Sequence, residues 1–286
     1  MNQLIRYIRE ELQLNQTEMG QELGVSFSTV NRWENAKAYP NKMAQLRMLD
    51  LLERYHLDIT PKIYERIEDM AGDFRPGEGS MLLYHGSKNG IVGEIQPISR
   101  ERCDFGRGFY MGTIPEQPLT LVCDYEESKT YLVSIDLNSL KVCHIETGLE
   151  WAMFIAWNRG KLAAIEGTPI YKKYQDFLGE SDVISGNIAD DRMFYVLDNF
   201  FQGNITDKAL VESISALKLG EQYAAVTEKA CKKVCIEKEI ELSFLERKCL
   251  QQAAYKKRQE GISLAGEICR RYRREGLYFD EIIANA

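Results

Sequence analysis

At 286 residues, 44% of them hydrophobic and 28% charged, the chain is long enough for two domains that each bury a core. Its net charge of −7 and pI of about 5.3 exclude a general electrostatic pull toward nucleic acid, so any DNA contact must come from a local arrangement. Seven scattered cysteines without a Cys-x-x-Cys pair, only three histidines, and no 18-residue apolar run or signal peptide predict a cytoplasmic protein with reduced thiols, no metal centre and no membrane span.

Leu4, Ile8 and Leu12 recur at i, i+4 and predict a first helix with one apolar face. Asn15 is a good cap for a second helix running to Leu23, Gly24-Val25 breaks it, and Ser26 caps a third through Glu34. Met19, Leu23, Val25, Val30 and Trp33 are spaced to bury one cluster, which leaves Phe27, Ser28, Asn31 and Arg32 facing outward. Helix, turn and capped helix is the arrangement whose second helix enters the major groove. Met43, Leu46, Leu49 and Leu52 continue a fourth helix, and Pro61 starts a fifth through Met70. Glu18, Glu22 and Glu34 leave the unit poor in positive charge, and a dimerisation or protein-binding module remains the alternative.

The run from Leu14 to Asn35 resembles the Xre or lambda-repressor family. The matching positions are Gln16, Gly20, Leu23, Gly24, Val25, Ser26, Thr29, Val30, Trp33, Glu34 and Asn35. The resemblance implies an operator-binding surface over residues 14–37 in which Gln16, Ser28, Asn31 and Arg32 touch bases or phosphates and Asn35 and Lys37 hold the DNA backbone. Ser26 and the outward-facing Phe27 adjoin it, Phe27 either on thymine methyls or packed on a partner. It also makes a homodimer the prior.

A Gly/Pro-rich linker over 71–80 precedes the short apolar strand Met81-Leu82-Leu83-Tyr84, which delivers His85, Gly86 and Ser87 at its end. Gly106-Arg107-Gly108 then frees a loop before a second strand carrying Phe109 and Tyr110. A histidine, an exposed backbone and an aromatic ring on neighbouring strands suit a flat polar heteroaromatic ligand. Helices are predicted over 116–128, 151–157, 190–201 and 207–218, and strands over 130–137, 181–184 and 221–226. Strands and helices in no βαβ rhythm indicate an α+β domain over 81–227, without a dinucleotide or P-loop glycine motif. From 228 to 286 the chain reads as a charged helical region with basic runs at 256–258 and 270–274, mostly a solvated helix face. The whole is a multidomain chain: an all-α helix-turn-helix unit over 1–70 joined to the α+β body.

His85-Gly86-Ser87, Gly108-Phe109-Tyr110 and Gln222 resemble the nicotinamide site of ADP-ribosyltransferases of the diphtheria-toxin and PARP type, over roughly residues 80–230. More narrowly, Asp104-Phe105-Gly106-Arg107-Gly108-Phe109-Tyr110 and Ala189-Asp190-Asp191 resemble an uncharacterised bacterial family grouped with that fold. The resemblance implies NAD as substrate, no metal, and His85, Tyr110 and Gln222 as the catalytic set. His85 would take the ribose, Gly86 and Ser87 the carboxamide, and Phe109, Tyr110 and Arg107 would complete the cofactor site, with Arg102 and Arg107 either pairing with the pyrophosphate or simply solvated. Asp190 and Asp191 are either helix-opening acids or part of the site. Gln222 can hydrogen-bond but cannot act as a base, so mono-transfer to a protein or nucleic-acid acceptor is the expectation. Such fusions resemble bacterial toxin–antitoxin or defence proteins with a neutralising partner. The rivals are a regulator that senses NAD or ADP-ribose without turnover, an NAD glycohydrolase, and an inert oligomerisation unit.

Overall fold

The computed structural model describes residues 1–188, 191–217 and 220–285. Five helices open the chain: α1 (Asn2–Glu11), α2 (Gln16–Leu23), α3 (Phe27–Glu34), α4 (Lys42–Arg54) and α5 (Thr60–Gly72). The expected caps form. Asn15 accepts from Thr17 N and Glu18 N in a capping box, Ser26 accepts from Thr29 N, and Gly24 closes α2 at φ 67°. Met19, Leu23, Val30 and Trp33 are buried, together with Leu4, Ile5 and Ile8 of α1.

Among the described residues seven strands form one sheet in the order β4-β5-β6-β2-β1-β3-β7. They are β1 (Ser80–Ser87), β2 (Phe109–Gly112), β3 (Lys129–Asp136), β4 (Val142–Ile145), β5 (Val183–Asn187), β6 (Glu221–Ala225) and β7 (Val234–Ile240). All neighbours run antiparallel except β4 and β5, consistent with the α+β expectation. The remaining helices are α6 (Glu116–Val122), α7 (Leu149–Asn158), α8 (Pro169–Gln175), α9 (Asp191–Phe201), α10 (Asp207–Ala216), α11 (Glu228–Cys231), α12 (Phe244–Tyr272) and α13 (Phe279–Ala284).

Three sequence expectations need correction. The region from 228 is not wholly helical, because β7 pairs along β3 at the edge of the sheet. Its Glu237, Lys238 and Glu239 read as helix surface, yet charge on an edge strand also discourages pairing with further chains. The helix expected to reach Ser128 stops at Val122, and the turn behind it is fixed by Arg247, whose guanidinium donates to Tyr125 O, Ser128 Oγ and Ser128 O. Strand β4 has no counterpart among the sequence expectations. Ala189, Asp190 and Lys218, all named in the sequence motifs or helices, lie outside the described residues, as does the Asp191 side chain.

The linker is also shorter than expected, and it is not a tether. One core cluster joins Met48, Leu51, Ile63 and Ile67 of the helical head to Tyr84 of β1, Leu119 of α6, Leu132 of β3, and Leu245 and Leu250 of α12. Head and body therefore share buried surface, with α12 lying between them. On the other side of the sheet Leu83, Phe109, Met111, Tyr131, Val133 and Ile135 form a separate cluster, while α7, α9 and α10 bury Ile184 and Ala224 in a third.

Candidate functional site

In the head, the outward positions of α3 are placed as expected. Ser26, Phe27, Ser28 and Arg32 are exposed, Asn31 is half-buried, and Asn35 and Lys37 are exposed just past the helix end. Ser26 Oγ is engaged in capping, and Asn35 Nδ2 donates to Asn31 O at 2.8 Å. Glu34 does not weaken this surface. It is 3% exposed and turned inward, where Arg9 Nε donates to its Oε1 at 2.6 Å and Gln16 Nε2 to its Oε2 at 2.8 Å. Burial alone would raise its pKa, but the hydrogen bonds from Arg9 and Gln16 and the charges of Arg9 and Arg6 outweigh that and hold it below the usual carboxylate range. Gln16 in turn accepts from Asn31 Nδ2 at 3.2 Å. A buried charge thus orients two polar side chains of the outer face, a relay that sequence spacing did not reveal.

In the body, β1 and β3 pair from Ser80 opposite Asp136 to Ser87 opposite Lys129. By contrast, β1 and β2 register at a single pair, Tyr84 opposite Gly112. Beyond it the strands part, and His85 Nδ1 reaches Tyr110 O at 2.7 Å across the seam. A carbonyl only accepts, so Nδ1 carries the proton. Burial pushes the imidazole pKa down, more than the hydrogen bond to Tyr110 O raises it, so the ring is neutral and Nε2 keeps its lone pair. Phe109 stacks on the ring at 4.0 Å, centroid to centroid.

Alternation divides the expected catalytic set. Tyr110 pairs with Ala224 and Gly112 with Gln222, which puts Tyr110 and Gln222 on one face of the sheet. His85, opposite Tyr131 and stacked on Phe109, belongs to the other face. Proximity between His85 and Tyr110 is through the carbonyl at the seam.

The Tyr110 hydroxyl is occupied within its own motif. It accepts from Phe105 N at 2.9 Å and donates to Gly106 O at 2.7 Å, closing the Asp104–Tyr110 loop on itself. Burial drives its pKa well above the ordinary phenol value, and the charge on Asp104 adds to this. The ring packs against Phe105 at 6.4 Å. Gln222, 7% exposed, donates from Nε2 to Asp104 Oδ2 at 3.0 Å and lies 3.5 Å from Asn187 O. Asp104 is itself buried and ion-paired with Arg159, while Asn158 Nδ2 donates to its backbone carbonyl at 3.0 Å. Asp104 and Asn187 stood within or beside the sequence motifs; Arg159 and Asn158 carried no signal of their own.

Two further expectations change. Gly86 is not open over its Cα: an added Cβ would lie 2.8 Å from Pro118 O and 2.9 Å from Val122 Cγ1, so the glycine lets α6 approach the sheet. Ser87 Oγ donates to Gly90 O at 2.8 Å, pinning the turn after β1. Arg107 is exposed and paired with Glu101, and Arg102 takes φ 65° on the same loop. Among the described residues no group of three or more His, Cys, Asp or Glu is placed to hold a metal ion. All seven cysteines are free thiols, and no helix is long and apolar enough to cross a membrane among the described residues.

A capped helix pair with an outward-facing second helix, set on an α+β body with a parted seam in its sheet, defines a two-domain helix-turn-helix protein. Residues 5–55 match the helix-turn-helix family. Residues 81–235 match the family described as protein of unknown function (DUF3990), and the chain belongs to that family. No curated protein and no solved structure matches the chain.

Proposed function

We propose that this chain is a sequence-specific DNA-binding protein whose second domain takes NAD at the β1–β2 seam and transfers a single ADP-ribose unit to a protein or nucleic-acid acceptor. The observation that carries the NAD half is His85. It is a neutral imidazole anchored by Nδ1 to the Tyr110 carbonyl, with no described group donating to Nε2, at the point where two strands part. An unpaired acceptor beside unladdered backbone suits a ribose hydroxyl and a carboxamide, in line with the His-Gly-Ser and Gly-Phe-Tyr resemblance. Loss of nicotinamide builds positive charge on the ribose ring, and the protein's part is to orient the donor and stabilise that charge. The DNA half rests on the exposed Phe27, Ser28 and Arg32 of α3, with Gln16 and Asn31 held by Glu34. A neutralising partner and a macromolecular acceptor belong to this reading as proposals.

A second reading is a regulator that binds NAD or ADP-ribose without turning it over. Its support is specific: the Tyr110 hydroxyl and both Gln222 amide hydrogens face acceptors within the fold, and Asp104 is ion-paired.

The deciding experiment incubates purified protein with NAD labelled in the adenylate, alone and with cell lysate, beside His85→Ala. Label in one macromolecular fraction, lost in the variant, is the expected result. Nicotinamide release without label points to a glycohydrolase, and binding without release to the sensor. Neither binding nor release overturns the NAD reading. A parallel selection of DNA sites should fail with Arg32→Ala while NAD chemistry persists.

A further inference from the structure

The third motif position is glutamine, and the structure bears on why. Gln222 on β6 sits 118 positions from Asp104 in the chain, yet its Nε2 is 3.0 Å from Asp104 Oδ2 within a buried cluster. Asp104 is 6% exposed, and Arg159 pairs with its other oxygen, Oδ1. An ionised carboxylate only accepts hydrogen bonds. The end of Gln222 that faces it must therefore be the NH2 group, so the amide orientation follows from chemistry. The second amide hydrogen is directed at Asn187 O, 3.5 Å away, a carbonyl that also accepts from Trp151 Nε1 at 3.1 Å. No described group donates to the remaining Gln222 Oε1.

We propose that Asp104 is a positioning residue that turns Gln222 into an acceptor-only group for a donor hydroxyl of the ligand, such as a ribose hydroxyl. This rests on the NAD reading above. A glutamate at 222 would present the same acceptor oxygens but would meet the Asp104 carboxylate at hydrogen-bond distance. Two carboxylates that close cannot both ionise freely, so one would hold a proton into the neutral range. In this fold glutamine keeps the acceptor and removes the repulsion. Residues 104 and 222 are then one unit, and swapping the acid and the amide between them should preserve it.

The test compares wild type, Asp104→Asn, Gln222→Glu and the double variant by NAD titration from pH 6 to 9, with urea midpoints measured alongside. Gln222→Glu alone should weaken NAD binding about tenfold or more at pH 8 and recover as pH falls and the pair takes up a proton. Asp104→Asn should weaken it about tenfold, because an asparagine can offer either end of its amide. The double variant should return to within about threefold of wild type at every pH, since the amide now at position 104 can donate to the carboxylate now at position 222. It should share the His85-linked pH profile of wild type and lose the recovery at low pH seen with Gln222→Glu alone. Four proteins that bind NAD alike, or a double variant worse than both singles, would overturn the positioning role. Wild type that binds no NAD would bring down the ligand reading and this proposal with it, an outcome separate from the first. If a single variant unfolds, the urea midpoints of the double variant still decide: its failure to restore stability counts against the coupled pair.

Discussion

Gln45 Oε1 in α4 accepts a hydrogen bond from Leu245 N in α12 at 2.9 Å, joining residues 200 positions apart. The same amide donates from Nε2 to Pro40 O at 2.9 Å, and Gln45 is 4% exposed. Leu245 N is one of the first amides of α12, a group with no partner inside its own helix. The head therefore caps the long helix of the body. Around this contact, Arg66 of α5 pairs with the buried Glu246 at 2.8 Å, and Gln252 Nε2 donates to Glu53 Oε1 at 2.6 Å. The surface proposed for DNA at α3 and the seam proposed for the ligand lie in domains that share a core.

Gln45→Ala should consequently destabilise the whole chain. Two buried hydrogen bonds are lost and a helix amide is left without a partner, which predicts a loss of about 1–3 kcal/mol. Because the core is shared, a near-ultraviolet signal from Trp33 in the head and one from Trp151 in the body should shift together in urea. Separate transitions for the two tryptophans would contradict the shared core.

Glu34→Gln addresses the head. The Glu34 side chain is 1% exposed and Arg9 16%, so removing the carboxylate leaves a largely desolvated guanidinium with only the exposed Glu10, 3.4 Å away, as counter-charge. The expected loss is about 2–4 kcal/mol, at or below the range for sealed pairs because Arg9 retains some solvent. DNA affinity should fall as well, because Gln16 and Asn31 lose the group that orients them. A head that keeps its thermal midpoint with glutamine at 34 would show that the pair contributes no net stability.

Gly86→Ala separates packing from ligand access. The added methyl group meets the Pro118 carbonyl and the Val122 side chain of α6, and backbone yields poorly, so a loss of about 1–3 kcal/mol is expected. Gly77→Ala is the control, since its methyl meets only Ser80 Oγ at 3.9 Å. Equal urea midpoints for the two variants would mean that α6 moves away at little cost.

Local chemistry explains what could be read from the sequence. Asn15, Ser26 and Gly24 act within a few residues of themselves, so the helix-turn-helix boundaries were legible. His85 and the Asp104–Tyr110 loop were legible as a place where glycines and polar groups interrupt apolar strands. Glu34 was not, because whether a carboxylate faces solvent or Arg9 is decided by how α1 packs on α3. Gly86 was legible as a close approach, but the partner that approaches is α6. β7 was hidden by the charges of an edge strand, and the Asp104–Gln222 contact by 118 intervening positions.

The last prediction concerns pH. Burial depresses the His85 pKa from the ordinary 6.5, so the unfolded chain binds a proton there more readily than the folded one. His85 therefore contributes stability that is fully present above about pH 6.5 and is lost as pH falls toward its folded pKa. His85→Gln can still donate to Tyr110 O but cannot titrate. Its urea midpoint should be flatter than that of wild type between about pH 7.5 and 5, after allowance for the carboxylates common to both. NAD binding by wild type should weaken over the same interval, because protonation turns the Nε2 acceptor into a donor. Parallel midpoint curves for the two proteins would place the His85 ring in solvent and remove the desolvated acceptor on which the seam site depends.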